Sequence, residues 1–599
     1  MKDAGAASRA GAAVAYRVEV ADAHAHQWRV TLTVHRPAAA QRVSLPVWIP
    51  GSYLVREFAR HLSGLEARQG GRTVALRQLD KASWVAACSG AAALTIRYLV
   101  HAFDTSVRAS FLDARRGFFN GTSLLLRVHG REHEAHALTL AGLPSGWQVA
   151  TAMAAGARRH EYLAADYDEL VDHPFELGRF WRGGFEAGGV AHEFVVAGAL
   201  PGFDGERLLA DARRICSAQI AFWHGPGAGA GALPFGRYLF MLNAVDEGYG
   251  GLEHRASTAL IANRRDLPER AAAGAERNDG YVKLLGLVSH EYFHAWNVKR
   301  LRPAEFARYD YAQENYTELL WFFEGFTSYY DDLLLLRAGL IDAPRYLRLL
   351  ATTASGVLAT PGRKVQSLAQ ASYDAWVKYY RPDENSVNAT VSYYTLGSLV
   401  ALALDLELRA AGVRRGASLD GVMRRLWQAS GGGPLSEADI LAAVAAEGGA
   451  RHGAAMARKL HAWVHGTDEL PLPALAARFG LRWQFQPATL AQRWGLRVAE
   501  SALTGVKVTH VLRSGAAEGA GLAPGDELLA VEGWRLRRLE DAAALLPRDG
   551  PARVLAARDQ RVLELALPPA AQGQGAVQLA LDDAAPAGAR ALRKAWLAA

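Results

Sequence analysis

Over the first 180 or so residues, short runs carry alternating apolar positions or β-branched residues: YRVEV, WRVTLTV, VSLPVWIPG, LTIRYLV and SLLLRVHG. Gly, Pro and Ala break the runs, which predicts an antiparallel sandwich or saddle of sheets. A Gly-rich interruption, HGPGAGAGALPFG at 224–236, precedes two more strand-like segments, RYLFMLNAV and GGLEHRASTALIA. From about residue 280 the period lengthens to that of helices. DGYVKLLGLVSHEYFHAWNVKR stops before Pro303, NYTELLWFFEGFTSYYDDLLLLRAG at Gly339 and SYYTLGSLVALALDLELRAAG at Gly412. Each stop is of the kind that ends a helix. Ser436 and Asp439 have capping-box spacing at the start of a further helix. The last ~110 residues return to short strands, and the Ala/Gly/Gln-rich stretch beyond about 570 is expected to be only partly ordered.

The chain has 599 residues, half of them hydrophobic and 21% charged, enough to bury several cores and to exclude global disorder. A net charge of +7 without a basic run does not suggest a nucleic-acid partner. Two cysteines far apart, Cys88 and Cys216, make neither a disulfide framework nor a thiolate cage. The Ala-rich N-terminus lacks the apolar core of a secretory signal. The longest apolar runs, Leu333–Leu336 and Leu399–Leu404, are too short to span a bilayer. The expectation is a soluble, cytoplasmic protein without a membrane partner, with the periplasm or secretion left open.

The chemistry concentrates at SHEYFHAW, residues 289–296. Residues four apart on a helix share a face, their Cβ atoms about 5–6 Å apart. His290 and His294 can therefore offer two ring nitrogens to one ion. Glu291, one step round, can reach a metal-bound water without ligating the metal, the arrangement by which HExxH helices hydrolyse peptides. Leu284, Leu285, Leu287, Val288, Phe293 and Trp296 make this helix apolar on most sides, so it is expected to be buried. Buried imidazoles and a buried carboxylate need partners. A catalytic zinc ion takes a third protein ligand and keeps one position open. Glu324, a lone carboxylate in LLWFFEGFTSYY, is the leading candidate, and Glu318 is the alternative. Two weaker sets are set aside. His133, Glu134 and His136 have the wrong spacing and abut a strand-like run, while His24 and His26 alternate on an expected surface strand with no third ligand.

HEYFHAWNVKRLRP, LLWFFEGFTSYY, SYDAWVKYYRPDENS and VSYYTLGSLVAL, with the N-terminal LPVWIPGSYLVREFARHL and FFNGTSLLLRV, resemble the glycyl aminopeptidase family of gluzincin metallopeptidases. The resemblance implies a multidomain α+β protein. Its parts are an N-terminal antiparallel β domain (1–180), a thermolysin-like, mostly helical catalytic domain with one zinc ion (181–480), a PDZ domain (485–570) and a C-terminal tail (571–599). It also implies removal of N-terminal residues from peptides with a free N-terminus, Gly and Ala favoured. By position, His290, His294 and Glu324 match the metal ligands and Glu291 the catalytic base. GYGGLEH resembles the strand with which related alanyl-type aminopeptidases bind the substrate's N-terminus, with Leu252 for Met and His254 for Asn. Gly250 and Gly251 would let the backbone approach closely, and Glu253 would hold the α-ammonium group. Tyr394 matches the tyrosine of a Tyr-x-x-Gly pattern and would donate to the oxyanion, with Tyr393 as the competing choice.

RWGLRV and AGLAPGDELLAVEG look like a PDZ domain. Its carboxylate-binding loop would run through Trp494, Gly495 and Leu496 and take a peptide C-terminus by strand addition; a purely structural appendage is the alternative. Two other functions stay open at this point. One is a zinc endopeptidase recruiting substrate C-termini through the PDZ domain, and the other is a catalytically inactive binding protein.

Overall fold

Inward positions of the first two strands, Val14–Asp22 and Gln27–Val34, are Val14, Tyr16, Val18, Trp28, Val30, Leu32 and Val34, none more than 2% exposed. The alternation read from the sequence is thus realised as one buried face of a sheet. The computed structural model describes residues 12–272, 274, 276–411, 416–569 and 572–598. The first eleven residues, and Gly412 as the anticipated end of a helix, lie outside them.

The described chain falls into two units, Met1–Tyr316 with Ser430–Pro434, and Thr317–Ala429 with Leu435–Ala599. The first unit opens with one eight-stranded and two four-stranded sheets. Their ladders are antiparallel except where Val14–Glu19 runs parallel to His136–Ala141. The apolar core beneath them includes Trp28, Phe118, Phe119, Leu124, Phe175 and Leu177. His24 and His26 sit in the turn joining the first two strands, not on a strand. Asp22 Oδ1 accepts from the backbone N–H groups of His24 and Ala25 there, a local bond that competes with strand pairing.

Still in the first unit, a five-stranded mixed sheet runs in the order Trp181–Ala187, Val190–Ala197, Arg237–Val245, Ser257–Asn263, Tyr249–Glu253. The last strand is an edge, paired antiparallel to Ser257–Asn263 only. Helices Gly205–His224 and Asp279–Phe293 pack together, and the Gln219 side-chain amide donates to Ser289 O at 2.7 Å.

The second unit is helical and then β. A π-helical turn, Trp321–Gly325, leads into the helix Phe326–Arg337, and the helix Thr395–Ala411 crosses it. The helix Glu437–His465 starts with the anticipated capping box of Ser436 and Asp439 and folds back at Gly449. After it come the five strands Leu496–Ser501, Gly505–Val511, Glu527–Val531, Ala552–Arg558 and Arg561–Leu567 around Leu490, Trp494, Leu528 and Val554.

Two elements lie in 572–598, where the composition suggested only partial order. Gln574–Leu581 pairs with Leu481–Pro487, and Ala587–Leu597 is a helix. Trp596 is fully buried, and its Nε1 donates to Tyr329 Oη at 2.8 Å. Arg409 donates to Ala595 O, and Arg337 to Trp596 O. One aromatic anchor and two arginines tie down this Ala-rich segment. No helix among the described residues is long and apolar enough to cross a membrane.

Candidate active site

Asn278 caps the helix that carries the histidines by accepting from the Tyr281 N–H at 2.8 Å, and Asp279 complements the positive end of its dipole. Tyr281, Leu284, Leu285, Val288 and Phe293 are buried, as the apolar pattern requires. The helix ends at its second histidine, so His290 and His294 stand on the last turn with ring centroids 4.6 Å apart. His294 Nδ1 lies 2.7 Å from the carbonyl oxygen of Asn297. Donating there fixes the tautomer and leaves Nε2 for an ion.

Glu291 is 5% exposed. Its Oε2 accepts from the Thr258 hydroxyl at 3.4 Å, and its backbone oxygen accepts from Tyr238 Oη. Space for the carboxylate comes from the edge strand. A methyl group on Gly251 would lie 2.5 Å from Glu291 Cγ and closer still to the carboxylate. Gly250 is not crowded in this way, its nearest neighbour being Arg108 Nη1 at 3.6 Å.

Of the two candidate third ligands, Glu318 is exposed whereas Glu324 is buried, in the π-helical turn among Trp321, Phe322 and Phe323. One ligand atom from each of His290, His294 and Glu324 lies within 4.8 Å of the others. Two imidazoles and one carboxylate are the donor set of catalytic zinc sites, which leave a coordination position for water or substrate. His133, Glu134 and His136 form no such group: His136 is buried and its Nδ1 meets Glu134 O at 2.7 Å.

Tyr394 is half-buried and Tyr393 fully buried, their rings stacked 4.7 Å apart. Burial, and then the Glu324 carboxylate, push the Tyr394 phenol well above its usual pKa, so it is an O–H donor at neutral pH. The crossing of two helices sets this proximity. A methyl group on Gly325 would lie 2.6 Å from Gly397 Cα, and one on Gly397 would lie 2.8 Å from Trp321 O. The Tyr-x-x-Gly spacing therefore has a packing reason, since Gly397 lets the start of the tyrosine's helix approach the turn that holds Glu324.

Glu253 ends the edge strand and is 5% exposed. The loop around Gly51 walls it in, and a methyl group there would lie 2.5 Å from Glu253 Oε1. His254 lines a cavity of about 170 Å³ together with Ile49, Pro50, Asp172 and Lys299. Its Nδ1 lies 3.4 Å from Asp172, which also pairs with Lys299 at 2.7 Å and Arg255 at 2.8 Å. Residue 254 thus belongs to a buried ion cluster. The sequence reading missed Asp172, Thr258 and Asn297. Only Asn297, three places after His294, had a position in the motif that could have flagged it.

Gly495 caps a short helix at φ 73°, and its N–H donates to Gln492 O at 3.2 Å. Leu496 begins an edge strand that pairs with Gly505–Val511 alone.

The donor set and the adjoining glutamate on the same helix form a candidate metal site beside the mixed sheet. Residues 15–179 match the M61 peptidase N-terminal domain, 283–400 the M61 glycyl aminopeptidase domain and 482–555 the PDZ domain. Over 98% of its length the chain is similar to an aminopeptidase N family protein from Idiomarina loihiensis, at 34% identity, with all of that chain covered and a TM-score of 0.89. The chain belongs to the M61 glycyl aminopeptidase family and is a peptide hydrolase. More distant similarities are to an M1 zinc metallopeptidase from Deinococcus radiodurans (17% identity, 77% of this chain and 95% of that one, TM-score 0.46) and, locally, to the HtrA3 PDZ domain bound to a phage-derived ligand (15% identity, 16% and 91%, TM-score 0.12). No curated protein matches the chain in sequence.

Proposed function

We propose that the protein is a zinc aminopeptidase that removes single N-terminal residues, Gly and Ala foremost, from peptides with a free α-amino group. The observation that carries the reading is the grouping of His290, His294 and Glu324 ligand atoms within 4.8 Å of one another, with Glu291 on the same helix as both histidines. This donor set fits zinc, one ion per chain. When bound, zinc acidifies a ligated water and polarises the scissile carbonyl.

The chain's own residues supply the rest. A Glu291 carboxylate oxygen takes the proton of the attacking water and passes it to the leaving nitrogen. The Tyr394 hydroxyl, kept protonated by its surroundings, donates to the carbonyl oxygen as negative charge develops there. The open edge of Tyr249–Glu253 offers backbone groups to an extended peptide. Glu253 at its end accepts the α-ammonium, which fixes how far the peptide can advance. That buried carboxylate is the reason to favour removal of terminal residues over internal cleavage, because it repels an ordinary chain and attracts an amine. The edge strand starting at Leu496 supports a second, non-catalytic role for the PDZ domain, in which Gly495 and Leu496 flank a bound peptide C-terminus.

The test is a set of short peptides with free or acetylated N-termini, incubated with and without a chelator and read by mass spectrometry. Release of single N-terminal residues from free peptides only, abolished by chelation and restored by zinc, is the expected result. Cleavage of both kinds would replace the reading with an endopeptidase. Metal-independent or absent cleavage would remove it. In Glu253→Gln the preference for free over acetylated N-termini should collapse.

A further inference from the structure

The helix Glu437–His465 is two arms joined at Gly449, whose φ of 68° breaks the helical path. The arms touch near the fold-back. A methyl group on Gly453 would lie 2.7 Å from Ala445 C and closer to its oxygen, and one on Gly448 would lie 2.7 Å from Gly453 Cα. Glu437 lies eight positions before Ala445 and His461 eight positions after Gly453, so the antiparallel register brings them to one level. His465 follows on the same face as His461, four residues on.

We propose that Glu437, His461 and His465 form a second metal site, a clip for a zinc-like divalent ion across the open end of this hairpin. One ligand atom from each residue lies within 4.8 Å of the others. Glu437 Oε1 is 2.9 Å from His465 Nε2 and 3.3 Å from His461 Nδ1, and Oε2 is 3.1 Å from His465 Nε2. A tetrahedral ion with bonds of about 2.0–2.1 Å separates its ligand atoms by about 3.3 Å, close to the distances between the Glu437 carboxylate and the two imidazoles. Two imidazoles with one carboxylate select zinc, cobalt, nickel or copper over magnesium and calcium, which take oxygen ligands. The side chains of His461 and His465 are 57% and 33% exposed, which leaves the ion open to a water as its fourth ligand. The site is independent of the catalytic reading, and its work is to pin one arm of the hairpin to the other.

The experiment counts metal on the full-length protein. After removal of all metal, the chain is saturated with zinc, freed of excess and analysed by mass spectrometry for zinc per chain, and its melting temperature is measured at each equivalent. Wild type should hold two equivalents. The His461→Ala/His465→Ala variant should hold one, with peptidase activity unchanged and without the rise in melting temperature that the second equivalent brings to wild type. Glu437→Gln, which keeps the capping box, should weaken the second equivalent at least tenfold. A double-histidine variant that holds as many zinc equivalents as wild type overturns the proposal, whatever the catalytic site holds.

Discussion

Glu291 and Gly251 meet across the sheet-to-helix contact with no room for a side chain on the glycine. Gly251→Ala must push the glutamate carboxylate from its place or bend the edge strand. Displacing a reacting group by about 1 Å costs on the order of 100-fold in rate. The variant should lose about 10- to 100-fold in kcat/KM while its circular dichroism spectrum and metal content stay at wild-type values. Steady-state kinetics beside a metal count decide it.

Under the proposed mechanism, Glu291→Ala removes the base and leaves the three proposed metal ligands intact. A general base contributes about 10²–10⁴-fold, so kcat should fall by at least that range with zinc retained at the catalytic site. Wild-type turnover in this variant would refute the assignment.

Trp596→Ala should destabilise the second unit. It deletes a fully buried indole and its hydrogen bond to Tyr329, and substitutions of this kind cost about 3–5 kcal/mol. The urea midpoint should drop accordingly. An unchanged midpoint would mean that the terminal helix is dispensable.

Asp420 gives the pH dependence. Burial alone would raise its carboxyl, but Arg337 and Arg409, each 3.1 Å from Oδ2, outweigh burial and hold its pKa below the usual value. Tyr330 Oη donates to its other oxygen at 2.9 Å. A carboxylate with a depressed folded-state pKa binds fewer protons folded than unfolded. Its stabilisation is therefore complete above the unfolded value of about 3.9 and is lost as the pH falls through the lower folded value. The denaturation midpoint should fall as the pH drops below about 5. Asp420→Asn should flatten that slope and, by leaving two buried arginines short of charge, cost about 3–5 kcal/mol at pH 7.

Helical spacing, apolar surroundings and residue type converge within SHEYFHAW, and the buried helix they predict is present over Asp279–Phe293. The burial of Glu324 was legible for a related reason, since it stands within the aromatic run of Trp321, Phe322 and Phe323. The alternative Glu318 could be dismissed only from its exposure. What stayed hidden depends on distant partners. His254 looked like a variant of a substrate-binding position, yet it answers to Asp172, 82 residues away. The C-terminal helix was masked by its Ala-rich composition, and its anchoring through Trp596, Arg337 and Arg409 depends on partners more than 180 residues away. The turn holding His24 and His26 was misread as strand because alternation cannot register a side-chain bond from Asp22.

The contact of Gly325 with Gly397 has a consequence for how this protein can vary. Because the two backbones touch, the turn bearing Glu324 and the turn bearing Tyr394 behave as a single stiff joint. Any shift in the angle of one helix carries both groups together. Under the proposed mechanism, the grip on the cation and the aim of the phenol are thus geared to each other, and a lineage drifting in sequence can retune them jointly or not at all.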